Sequence, residues 1–149
     1  MWLSRIAVAA TALVLAPALV ACGSGGTSSY CSEVSDQQSK LTDTLAGGDA
    51  AALLAALPIF TALEEKAPSD IADDWRTLVD ALNGLQTALD AAGVKASDYV
   101  DGKPPAGTSA ADRRSILKAA DKVSTTAVQE AAVNVQQQAR DVCHTSLTL

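Results

Sequence analysis

Six apolar side chains, Ile71, Trp75, Leu78, Leu82, Leu85 and Leu89, recur at steps of four, three, four, three and four residues. Only a helix brings side chains so spaced onto one stripe, and that stripe must be buried against something. Pro68 precedes the segment, Ser69 or Asp70 is placed to cap it, and Gly93 ends it. The remainder is rich in Ala, Leu, Gln and Asp, only 3% aromatic, and lacks the alternating Val, Ile, Thr and Tyr runs from which strands start. The expected fold class is therefore all-α.

Three further helices follow from the same reasoning. Tyr30, Val34, Leu41 and Leu45 mark one that Gly47-Gly48 terminates. Asp49 caps the next, which carries Leu53, Leu54, Leu57, Phe60 and Leu63. Pro58 lies inside that pattern and is expected to kink or split it near Leu57, because proline has no N–H to donate. Ser109 to Asp112 form a capping-box pattern that opens a last helix, expected to run unbroken to Cys143 over about 50 Å. Its inward stripe reads Ile116, Ala120, Val123, Ala127, Ala131, Val135 and Val142, flanked by Leu117 and Val128. Four helices on short turns, with residues 93–108 as the one long loop, imply an antiparallel four-helix bundle whose second helix is kinked near Pro58.

The first 21 residues have a different character. Met1 and Arg5 carry the positive charges, Ile6 to Val20 form an apolar run broken by Pro17, and Leu19-Val20-Ala21 leads into Cys22. That order is the layout of a secretory signal peptide, and the run is short of the roughly 20 residues needed to cross a bilayer core. Leu19, Val20, Ala21 and Cys22 resemble the lipobox of bacterial lipoproteins. The resemblance implies a diacylglyceryl group on the Cys22 sulfur and cleavage between Ala21 and Cys22. It places the chain on the outer face of the cytoplasmic membrane, because two or more acyl chains hold firmly where one holds marginally. Residues 22–29, small and polar, read as a flexible tether of some 25 Å at most, and residues 30–149 as one bundle domain.

Cleavage removes Arg5 and leaves ten basic side chains against seventeen acidic ones, a balance that argues against nucleic acid as a partner. Cys31 and Cys143 remain in a compartment where disulfides persist. There is no CxxC spacing, and His144 is the lone histidine, so a disulfide is preferred over a free thiol, a metal ligand or a redox centre. In an up-down-up-down bundle the first helix starts where the fourth finishes, which brings the two cysteines together.

The long loop then lies at the end away from the membrane, with Tyr99 and Val100 as candidate contacts for a partner. Glu64, Glu65, Asp70, Asp73 and Asp74 cluster between the second and third helices, but without a calcium-loop pattern they read as solvated or dipole-complementing charges, and no metal is expected. Arg114, Lys118 and Lys122 form a basic stripe that sits too far from the anchor to reach its bilayer and reads as a solvated face. Trp75 occupies a core position. No G-x-S-x-G, G-x-G-x-x-G or H-E-x-x-H occurs, so neither an enzyme nor a cofactor is expected.

Tyr30-Cys31-Ser32, the run from Ala67-Pro68-Ser69-Asp70-Ile71 to Asp74-Trp75, and Cys143 closing the last helix together resemble the small helical lipoproteins of actinobacteria. That resemblance implies an envelope location and a bundle closed by a terminal disulfide, and supplies no activity. Two functions are expected to compete. One is an interaction or structural module presenting the long loop to another envelope protein. The other is a carrier of an apolar ligand between the helices, with room left by the kink at Pro58 and the small residues of the last helix, which requires a cavity of about 300 Å³ or more.

Overall fold

The computed structural model describes residues 24–100 and 102–148. Among these, six helices carry the fold: α1 (Ser24–Leu45), α2 (Ala50–Ala55), α3 (Leu57–Lys66), α4 (Ala72–Ala91), α5 (Ala110–Val123) and α6 (Thr126–Val142). A single 3-10 turn, Ala96–Asp98, interrupts the long loop, and no strand forms among the described residues beyond one isolated bridge between Val100 and Lys103.

The stripe on α4 is the centre of the core. Trp75, Leu78, Leu82, Leu85 and Leu89 are all buried, and α3, α5 and α6 all pack on this helix, while α1 packs on α3. Ile71 stands at the N-cap with no side-chain capping bond, so neither Ser69 nor Asp70 performs the expected capping role. The chain turns first through Ile71 N–H to the Pro68 carbonyl at 3.1 Å, and burial of Ile71, 4% exposed, sets where the helix starts. At the far end Gly93 adopts φ of 65°, a left-handed conformation that glycine takes without cost.

Pro58 splits its helix as its missing N–H dictates. It lies in the first turn of α3, where proline is tolerated, and Ala56 at the junction is fully buried. The Ala56 N–H still reaches the Ala52 carbonyl at 3.0 Å, so the chain bends with its backbone groups satisfied.

Two expectations fail. The last helix is not continuous but breaks at Ser124 and Thr125. On one straight helix the buried Ile116 and half-buried Val123 of α5 would lie about 100° around the axis from the buried Val128, Ala131, Val135 and Ala139. No single stripe buries both sets, and the break re-aims the second. Local hydroxyl bonds make it cheap: Ser124 Oγ donates to the Ala120 carbonyl at 3.3 Å and Thr125 Oγ1 to the Lys122 carbonyl at 2.9 Å.

The second failure is the tether. Ser24 to Ser29 are not slack but form the opening turns of α1. Once Tyr30, Val34 and the Cys31 bridge fix the nucleus, each added residue gains a backbone bond without a new nucleation step, which offsets the entropy that the glycines lose. At helical rise those six residues span about 9 Å, far less than extended chain.

Candidate functional site

Cys22, the expected lipid-bearing residue, lies outside the described residues. Cys31 and Cys143 are bonded to each other, with Cα atoms 5.0 Å apart, and join the first helix to the end of the last. Beneath the bridge Trp75 and Tyr30 are both fully buried, and the indole N–H donates to the Tyr30 hydroxyl at 3.0 Å. Burial pushes the Tyr30 pKa above the ordinary phenol value, and the Trp75 hydrogen bond opposes it. Phe60 lies against Trp75 with ring centroids 6.0 Å apart. This end of the molecule is mostly packing, with a cavity of about 140 Å³ that the indole helps to line. Among the described residues, the buried amide nitrogen and oxygen of Gln138 have no hydrogen-bond partner.

The acidic residues between α3 and α4 do not converge. Asp73 pairs with Arg76 at 2.7 Å, Asp74 accepts from Asn134 on α6 at 3.0 Å, and no group of three or more candidate metal ligands comes together among the described residues. Glu33 on α1 pairs with Lys66 at the end of α3.

Open space lies at the opposite end. A cleft of about 380 Å³ is walled by the start of α2 (Asp49 to Ala51), by Leu85 and Leu89 of α4, by Ile116, Leu117 and Ala120 of α5, and by the loop. The walls are mostly hydrocarbon. The loop contributes Ala96, Tyr99 and Gly102. Along α4, Leu89 is about 20 Å from Trp75 at ordinary helical rise, so cleft and disulfide occupy opposite poles.

The elements make this space for local reasons. Asp49 accepts the Ala52 N–H at 2.8 Å and so starts α2 immediately after the Gly47-Gly48 turn, which holds α2 close to the loop. Alanine at positions 50, 51, 96 and 120 then leaves the facing surfaces short of side-chain volume. Val94, buried, pins the loop to the end of α4, and the Asp98 carboxylate accepts the Lys95 N–H at 2.9 Å.

The two loop residues expected to meet a partner part company. Tyr99 turns inward, half-buried, and lines the cleft, whereas Val100 points outward, 69% exposed, its backbone paired with Lys103. Leu117, expected beside the inward stripe of its helix, is 62% exposed at the cleft edge. Pro58 is exposed and lines no part of the cleft, so the room expected beside it lies elsewhere. A smaller cavity of about 140 Å³ lies among Leu41, Leu45, Phe60, Val135 and Leu147. The sequence carried one sign of the larger space, four alanines at positions where helix ends and a loop converge, but which of many alanines face one another is a tertiary fact.

Compared with family models, with curated proteins and with solved structures, the chain matches none.

Proposed function

We propose that this chain is an exported protein, held on the outer face of the cytoplasmic membrane by lipid on Cys22, whose domain binds a small apolar ligand. The observation that carries the reading is the cleft of about 380 Å³, which falls within the size range of small-molecule sites and is lined by hydrocarbon with a few polar groups, the Tyr99 hydroxyl and the Asp49 carboxylate. We read α2 with α3, and α5 with α6, as two bent rods that complete an antiparallel four-helix bundle with α1 and α4. In that arrangement the disulfide end adjoins the anchor and the cleft opens away from the bilayer.

Substitution Ala120→Phe fills the cleft from the α5 wall. It is expected to weaken binding of an environment-sensitive apolar dye at least tenfold while leaving the thermal midpoint within a few degrees. Equal dye binding by both proteins would remove the cleft from consideration. The anchoring half of the reading is tested separately: Cys22→Ser should move the protein from the membrane fraction to the medium, and mass spectrometry of the mature N-terminus should show the diacylglyceryl group on the parent.

A second reading, a docking module for another envelope protein, is favoured by the exposure of Val100 and Leu117. If docking is the role, Val100→Asp should abolish capture of the partner and Ala120→Phe should not.

A further inference from the structure

Charge is distributed unevenly over this acidic protein. Residues 95–122, comprising the loop and nearly all of α5, carry six basic side chains against four acidic ones; residues 22–94 and 123–149 carry four basic against thirteen acidic. The basic island therefore coincides with the pole that bears the cleft. Within it Arg113 has a particular place. It precedes Ile116 by three residues, Leu117 by four and Ala120 by seven, the spacing of one helical stripe, and all three of those residues line the cleft. Arg113 thus continues the cleft wall by one turn toward the loop, and it is exposed. On the loop side Gly102 lines the cleft and Lys103 follows it.

Three carboxylates near this pole are held in place by local hydrogen bonds from neutral donors. Asp49 accepts the Ala52 N–H, Asp98 accepts the Lys95 N–H, and Asp112 accepts the Ser109 hydroxyl at 2.6 Å. The two ion pairs found among the described residues, Lys66 with Glu33 and Arg76 with Asp73, both lie outside this region.

From this juxtaposition we infer that the ligand is an anionic amphiphile of the fatty-acid class, its acyl chain against Leu85, Leu89, Ile116 and Leu117 and its carboxylate at the mouth on Arg113, with Lys103 nearby. A guanidinium suits this task because it receives a carboxylate through two parallel hydrogen bonds. No charged side chain is buried among the described residues, so the head group has no partner deeper inside and must stay at the rim. The inference rests on the cleft being an apolar-ligand site, and its test separates the two.

Calorimetric titrations of the mature Cys22→Ser chain, residues 22–149 without the apolar run Ile6 to Val20, would compare dodecanoate, dodecanol and dodecyltrimethylammonium below their aggregation concentrations. Dodecanoate is expected to bind at least tenfold tighter than dodecanol, the cation weakest, and each methylene removed from the acid to cost about fourfold in affinity. Arg113→Gln should erase the preference for the acid and leave dodecanol affinity unchanged, and added salt should narrow the gap between acid and alcohol. If the alcohol or the cation binds as well as the acid, or Arg113→Gln leaves the ratio intact, the anionic class is refuted while the apolar-ligand reading stands. If none of the three binds, both fall.

Discussion

Tyr30 and Trp75 are held by a hydrogen bond to one another as well as by the hydrocarbon around them. Both are fully buried, and the indole N–H has the Tyr30 hydroxyl as its partner. Tyr30→Phe keeps the ring and removes the acceptor, leaving a buried donor unpaired. A loss of about 1–3 kcal/mol is expected, read in urea as a lower midpoint with an unchanged slope. Two carboxylates should respond to acid in opposite ways. The Lys66 and Gln37 hydrogen bonds hold the Glu33 carboxyl below its ordinary value, so its contribution to stability is present above the unfolded carboxylate range and is lost as pH falls through the lowered folded-state value. Burial, with Asp80 and Glu65 nearby, pushes Glu64 upward despite Arg76, so its charge weakens the fold at neutral pH and the penalty vanishes in acid. Melting curves should show Glu33→Gln lowering Tm and Glu64→Gln raising it at about pH 7, with both effects shrinking as the carboxylates protonate in acid.

At the level of elements, much could be read from spacing alone, because burial of a stripe and the donor chemistry of proline and glycine are local properties. The α4 stripe, the stop at Gly47-Gly48, the Asp49 cap and the split at Pro58 all follow from residues within a few positions of the event. The cleft did not follow, since it depends on which alanines of α2, α5 and the loop meet. The break at Ser124 lies between these cases. The buried positions on either side of it are out of phase, but the many alanines let one continuous stripe be drawn from Ile116 to Val142, and the absence of Gly or Pro concealed the break. Because phase and not propensity causes the break, Ser124→Ala with Thr125→Ala is expected to destabilise by about 1 kcal/mol, although alanine is the better helix former. Thermal melts followed by circular dichroism would check the sign. Helix in place of slack at Ser24 to Ser29 likewise reflects support from Tyr30, Val34 and the bridge, which composition alone does not reveal.

The whole molecule has two unlike poles: a dense one of disulfide, indole and phenol, and a looser one where helix ends, loop and basic side chains surround an apolar space. The bridge between Cys31 and Cys143 has a further consequence, since the two cysteines are 112 residues apart and nearly the whole domain lies between them. Covalently, the domain is a closed ring with two short tails. A single protease cut in the exposed Ala106-Gly107 stretch would open that ring without dividing it. The nicked protein should run as one band on a non-reducing gel and as two after reduction. New chain ends could be built at the same place, and the native ones joined, without asking any helix to find a different neighbour.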